Sequence, residues 1–266
     1  MSGRTAIRHA LASIEVVEDR SAESRCDEGF LRIARLRLRN HYTDGSTSEV
    51  YPCDVLSRPG SDAVVAVLYE RVGEKRVRVV LRESPRAPIY LRRYKTFVHP
   101  DPRTYLSLQE VVAGLVEASD GPGDAGMRRR AAIETREEAG VDVAPEHFHA
   151  IGGETFASPG TGDEKIYFYA GAIDPAQAHA GGGDGSVMEE AARLVVLDLA
   201  DAIEGCRDGS IPDMKTEVGL LRLADHLGYL PQLRCFVDEL PPALRRRYAR
   251  LGVAAASGAS AEPDGA

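Results

Sequence analysis

Apolar and polar positions alternate at two recurrent periods along this chain. Through LRIARLRLR (31–39) apolar and basic residues alternate near period two, the spacing of a strand with one covered face. The segment HYTDGSTSEV follows, with Asp44-Gly45 as a hairpin turn signal, and VYPCDVL (50–56) is the returning strand. DAVVAVLYE (62–70) and RVRVVLRE (76–83) have the apolar density of buried strands joined by a charged turn. SLQEVVAGLVE (107–117) is a further strand-like run, and ASDGPGDAG (118–126) is a loop by its Gly, Pro and Asp content. MRRRAAIETREEAG then predicts a helix with Gly140 at the left-handed position that ends it. Strands return at KIYFYAGAI (165–173) and RLVVLDL (193–199), on either side of a Gly-rich loop, AHAGGGDGS (178–186). The final third turns helical, in LADAIEGCRDG, KTEVGLLRLADHLG and ELPPALRRRYARLG.

These elements predict an α/β fold, a mixed sheet packed by helices. The division expected is an ill-defined segment at 1–27, a small β unit at 28–60, a main domain at 61–230, a helical segment at 231–252 and a disordered tail at 253–266. The β unit has strand patterning but too few residues for a core of its own. No internal repeat is present.

Composition narrows the function classes. Of 266 residues 43% are hydrophobic, ample for a core, and 28% are charged. Lys and Arg number 33 against 41 Asp and Glu, a formal net charge of −8, which argues against a broad nucleic-acid-binding surface. The N-terminal MSGRTAIRHALASIEVVEDR lacks the apolar core of a signal peptide, and no run reaches membrane-spanning length. Cys26, Cys53, Cys206 and Cys235 are widely spaced, with no CxxC pair, so neither a disulfide framework nor a zinc site is expected. A reducing cytoplasm is the simplest setting.

The candidate chemistry lies in IETREEAGV (133–141). Glu134, Glu137 and Glu138 fall at relative positions 0, 3 and 4, on one helix face. Like charges so placed cost a few tenths of a kcal/mol each in an isolated helix. Hard divalent cations want such oxygen ligands, and Mg²⁺ in particular shares its coordination between carboxylates, water and substrate phosphates. The bland alternative is a solvated acidic face, supported by Arg130 four residues before Glu134.

AAIETREEAGV resembles the C-terminal half of the Nudix box, whose signature is G-x5-E-x7-R-E-U-x-E-E-x-G-U with U a bulky aliphatic residue. Glu134, Glu137, Glu138, Gly140 and Val141 match. The resemblance covers roughly residues 50 to 228 and is closest to the ADP-ribose and nucleoside diphosphate sugar pyrophosphatase branch. It implies a Nudix α/β/α sandwich over about 60–205, with Mg²⁺, or Mn²⁺, held by Glu134, Glu137 and Glu138. EVVAGLVE (110–117) is similar to the branch's ELPAGLIE, which implies the Ala113 carbonyl as a further metal ligand. ESPRAPI (83–89) resembles EQFRxPV and points to Arg86 as a substrate-phosphate contact. SPGTGDEKIYFYAG (158–171) resembles the branch's SPGxxxE loop and points to Glu164 for the metal-water chemistry. GSIPDMKTEVGLL (209–221) resembles GxIxDAKTxxGL. Related pyrophosphatases pair subunits through an N-terminal β unit, which implies a homodimer.

The box also departs from its pattern. Its arginine is Ile133 here, the first U is Thr135, and six residues on from Gly114 comes Asp120 instead of glutamate. Either Asp120 or Asp124 is a substitute for that glutamate. In the family this glutamate and arginine pair and help hold the catalytic helix, so the expectation is a support shell remodelled by loss of both. Among other candidates, Glu110 is either a metal or substrate group or a strand-end partner. The LRRYK run (91–95) is a nucleotide-contacting patch or a surface charge run, and Arg128, Arg129 and Arg130 lean toward phosphate or form a solvated basic face. His147 and His149 flank Phe148 in strand-like alternation and are not expected to be ligands.

Two function classes follow. One is a metal-dependent hydrolase of the pyrophosphate bond in a nucleoside diphosphate sugar, ADP-ribose first, giving a nucleoside monophosphate and a sugar phosphate. The other is a Nudix-fold nucleotide-binding or regulatory protein without turnover. The glutamate trio favours the enzyme; the missing arginine and upstream glutamate favour the binder.

Overall fold

The computed structural model describes residues 3–4, 29–179 and 191–250. The expectations for most of 1–27, for the end of the 178–186 loop and for the 253–266 tail lie outside the described residues.

The chain begins with β1 (Gly3–Arg4), a hairpin of β2 (Arg32–Leu38) and β3 (Tyr51–Ser57), and the long strands β4 (Ala63–Val72) and β5 (Arg76–Pro85). After α1 (Ala87–Tyr90) come β6 (Ser107–Glu110), β7 (Val112–Leu115) and the helix α2 (Gly123–Ala139). β8 (Phe148–Ala150), β9 (Thr155–Phe156), β10 (Lys165–Ala172) and β11 (Arg193–Asp198) complete the main sheet. α3 (Leu199–Asp208), α4 (Met214–Leu227), the short pair β12 (Tyr229–Leu230) and β13 (Cys235–Phe236), and α5 (Pro242–Arg250) follow. The main sheet is mixed, in the order β1-β11-β5-β4-β10-β8, with β6 on β5, β7 on β4 and β9 on β10. β4 and β10 run parallel, Val65 beside Phe168, while β4 and β5 are antiparallel.

Period-two alternation in β4 sorts its side chains between two cores. Val64, Ala66 and Leu68 pack with Ala131 and Ala139 of α2 on one face. Val65 and Val67 pack on the other face with Leu199 and Ile203 of α3 and Leu220 and Leu223 of α4. Burial on both faces explains the unbroken apolar run in the sequence. Each fully buried Leu or Val contributes about 1.5–3 kcal/mol, so the two layers of helices clamp the sheet from both sides. The result is the expected α/β/α sandwich.

One strand differs from expectation. The run 107–117 is not continuous: β6 pairs with β5, Glu110 opposite Arg82, and β7 pairs with β4, Ala113 opposite Val65. β4 and β5 pair only through Leu68–Val72 and Arg76–Val80 and then diverge. The chain crosses from one to the other at Val111, whose N–H donates to Thr216 Oγ1 of α4 across 2.9 Å. A side chain from another layer satisfies this buried donor, which an all-strand reading would have assigned to a ladder.

The β2–β3 hairpin forms its own two-stranded sheet, Arg35 opposite Asp54. It is tied to the body by Leu56 N–H donating to the Thr161 carbonyl at 2.8 Å and by Ser57 Oγ donating to Asp163 at 2.9 Å. Ile33, Leu36, Tyr51 and Leu56 remain exposed on it. Among the described residues no helix is long and apolar enough to cross a membrane, and Cys53, Cys206 and Cys235 are free thiols.

Candidate active site

α2 places Arg130, Glu134 and Glu138 four residues apart, on the stripe that faces β7. The helix starts at Gly123, four residues earlier than its apolar pattern predicts, and ends at Gly140, whose φ of +66° is the left-handed cap conformation. Glu138 is largely buried. Its Oε1 accepts from Arg82 Nη1 at 2.7 Å, and its Oε2 accepts from the backbone N–H of Ala113 at 3.2 Å. Glu134 lies against Gly114, where a Cβ would overlap its carboxylate, so the glycine makes the cradle in which Glu134 rests. Burial, then the charge of Glu138, raises the Glu134 carboxyl to about 7 against the opposing pull of Arg130; Glu137 adds to the rise.

The support expected to be lost is present in another form. Asp120 is 1% exposed and Arg130 5% exposed, and Arg130 Nε donates to Asp120 Oδ2 at 2.9 Å. The same guanidinium reaches Glu117 at 3.1 Å and Glu134 at 3.4 Å. Asp120 Oδ2 also accepts from the Glu117 N–H at 2.7 Å, fixing the turn 118–120 that leads into α2. Asp120, and not Asp124, therefore takes the acidic place, and an arginine one turn before Ile133 takes the basic one. Asp124 instead pairs with Arg128 at 2.6 Å and accepts from Tyr169 at 2.7 Å. This corrects the expectation that both partners are gone, and also the reading of Arg130 as part of a solvated or phosphate-facing surface. Thr135, in place of an aliphatic residue, is fully buried because its hydroxyl donates to the Ala131 carbonyl one turn back, at 2.7 Å.

Beside β7 opens a cleft of about 390 Å³. Ala113 and Gly114 form part of its wall, and Arg86 and Glu164 line it. The structure thus brings Arg86, Ala113 and Glu164 to one cavity, with Glu134 and Glu138 packed against the backbone of that wall. Glu110, buried at 5% exposure, accepts from both Arg86 and Lys215, and Lys215 also reaches Asp213 at 3.1 Å. Arg58 donates to Glu164. A buried carboxylate that holds two cations at a cleft keeps them in place beside it, where either can pair with an anion.

Two hard oxygen donors, the Glu134 and Glu138 carboxylates, pack against the Ala113–Gly114 backbone, and Glu137 lies on the same helix. Among the described residues no three His, Cys, Asp or Glu side chains already stand together as ligands of one ion; Glu134 and Glu138 are turned onto arginines instead. The donor type, the raised Glu134 carboxyl and the Cβ-free cradle at Gly114 fit a divalent cation of the Mg²⁺ class.

Several of these groups escaped sequence reasoning. Arg82 directly follows the apolar run Val79–Leu81 of β5, a legible signal; Lys215 sits in the PDMKT run; Arg58 carries no local signal. His149, exposed, stacks on His226 with ring centroids 6.1 Å apart, away from the cleft lining.

Known proteins supply the comparison. The chain matches no protein-family model. It is 28% identical over 205 residues to the ADP-ribose pyrophosphatase of Haemophilus influenzae, covering 77% of this chain and 85% of that protein. It is 32% identical over 200 residues to the GDP-mannose pyrophosphatases of Yersinia pestis and Yersinia pseudotuberculosis, covering 75% of this chain and 84% of each.

Proposed function

This chain belongs to the Nudix hydrolase superfamily, among its ADP-ribose and sugar-nucleotide pyrophosphatases, and we propose that it hydrolyses the pyrophosphate bond of a nucleoside diphosphate sugar, with ADP-ribose favoured. One observation carries the reading: an acidic helix face packs on the Ala113–Gly114 backbone at a cleft where Arg86 and Lys215 are held by Glu110. The acidic side suits a cation and the basic side suits a diphosphate.

Glu134, Glu137, Glu138 and the Ala113 carbonyl would hold Mg²⁺, or Mn²⁺. Such an ion polarises a phosphoryl oxygen and lowers the pKa of water. Arg86 and Lys215 bind the diphosphate and offset charge that grows on its oxygens. Glu164 accepts the proton of the attacking water as its oxygen bonds to phosphorus. The bridging P–O bond breaks with its electron pair on the departing phosphate, giving a nucleoside monophosphate and a sugar phosphate. Arg58 holds Glu164 at the cleft, and a substrate phosphate competes for that guanidinium, freeing the base when substrate is present. Arg130 and Asp120 tie α2 to the turn that follows β7, which supports turnover over binding alone.

The exposed apolar residues of the β2–β3 hairpin support a homodimer, and the free thiols suit a cytoplasmic setting. The test is product release from ADP-ribose, GDP-mannose and UDP-glucose with Mg²⁺ and with Mn²⁺. Metal-dependent release of a nucleoside monophosphate, fastest from ADP-ribose, is expected. Tight nucleotide binding with no product under either metal would overturn the reading.

A further inference from the structure

Between α1 and β6 the chain folds over a second cavity, of about 220 Å³, distinct in its lining from the cleft. Four cations line it: Arg92, Arg93, Lys95 and Arg103. Its acid, Asp101, is already engaged by the Tyr105 hydroxyl at 2.9 Å, by the Arg103 backbone N–H at 3.1 Å and by the Arg103 guanidinium at 3.5 Å, which leaves three cations without an acid in the cavity. Among the described residues neither Arg92 nor Lys95 has a carboxylate partner. The cavity therefore concentrates positive charge on a chain whose overall charge is −8.

The guanidinium groups rest beside aromatic rings. Arg92 lies 4.4 Å over the Phe97 ring and Arg103 5.0 Å over the Tyr105 ring, while Arg93 lies 5.0 Å over Tyr90 and donates to its hydroxyl at 2.7 Å. A guanidinium whose charge is balanced by a ring and not by a carboxylate keeps N–H donors for phosphate oxygens. Arg103 is further anchored by donating to the Gly209 carbonyl at 2.8 Å. Such anchoring is more than a solvated charge run requires.

We propose that this cavity is a second anion site, which takes a phosphate monoester. Its volume falls below the roughly 300 Å³ of pockets that enclose a drug-sized molecule, so it suits a phosphate with at most a small sugar attached, not a whole nucleotide. Tyr105 and Phe97 offer apolar surface to such a ring, and the cavity is a single hollow and not a track for a longer polyanion. The LRRYK run thereby acquires a role separate from the cleft and independent of the reaction catalysed there.

The test is calorimetric titration with ribose 5-phosphate, a ligand with no pyrophosphate bond to cut. Wild type, Arg92→Gln/Lys95→Gln and Arg86→Gln are compared, with ribose as the uncharged control. Arg86→Gln is expected to keep a site that Arg92→Gln/Lys95→Gln weakens by about tenfold or more, and ribose to give no binding. Inorganic phosphate in parallel identifies the source: weaker binding than ribose 5-phosphate assigns a sugar phosphate, equal binding a free phosphate. Lys95→Glu, at an exposed position, serves if the double variant does not fold. Unchanged affinity and stoichiometry in the folded double variant, or loss of all binding in Arg86→Gln, would overturn the proposal.

Discussion

Arg130 and Asp120 meet across 2.9 Å in the interior, ten residues apart in the chain, and join the turn at 118–120 to the helix that carries the glutamates. The pair lies behind the acidic face, and Arg130 also touches Glu134, so its loss reaches the site through position as well as charge. Asp120→Ala removes the most buried of three carboxylate partners from the Arg130 guanidinium and is expected to cost about 1–3 kcal/mol. The double variant Asp120→Leu/Arg130→Met should regain most of that stability without regaining turnover. Urea denaturation beside product release checks this; a single variant within about 0.5 kcal/mol of wild type would remove the pair from the account.

Gly114→Ala tests the cradle. The added Cβ overlaps the Glu134 carboxylate, so one or the other must move. Overpacking of this kind costs about 1–3 kcal/mol, and a displacement of about 1 Å at a reacting group costs about a hundredfold in rate. Turnover falling far more than stability is the expected result. Wild-type turnover in the variant would show that Glu134 does not work from this place.

Glu138→Gln separates metal binding from helix electrostatics. Helix spacing alone predicts a small gain in metal-free stability, about 0.2–0.5 kcal/mol, from one less like-charge repulsion. The structure reverses the sign, because Glu138 also neutralises the buried Arg82, and a loss of about 1–3 kcal/mol is expected instead. Mg²⁺ should raise the melting temperature of wild type more than that of the variant. Equal shifts in both proteins, with turnover retained, would mean that the carboxylate is structural only.

His226 sets a pH dependence of folding. Partial burial, then the neighbouring His149, lowers its pKa below 6.5. Between the lowered folded pKa and 6.5 the unfolded chain binds more protons, so this contribution to stability is complete above 6.5 and is lost as pH falls through that window. His226 as a whole is solvent-exposed, which keeps the effect small. His226→Gln should flatten the slope of denaturation midpoint between pH 7 and 5; an unchanged slope would assign it to other groups.

The hairpin carries the prediction on assembly. Leu36→Glu places a charge on its exposed apolar surface and should turn a wild-type dimer into a monomer at micromolar concentration in sedimentation, with the main sheet still folded. A wild-type monomer under those conditions would leave the hairpin's apolar surface without this role.

Local pattern alone determined much of this protein. Apolar-rich runs placed β4, β5, β10 and β11 within a few residues, since burial on both faces is written directly into such runs. Three glutamates at helical spacing before Gly140 determined one acidic face and its end, because both depend on neighbours within about one turn. What tertiary structure decided are the relations between distant residues. Val111 breaks its strand because Thr216, 105 residues later, takes its N–H. Glu110 gathers Arg86 and Lys215, and Arg58 reaches Glu164, over separations of 24, 105 and 106 residues. Asp120 outranks Asp124 only because folding buries the first beside Arg130 and leaves the second half exposed beside Arg128. Spacing reports which side chains share a face; the partner of a buried charge is chosen by which opposite charge the packed layers bring within hydrogen-bond reach, and period and propensity carry no record of that choice.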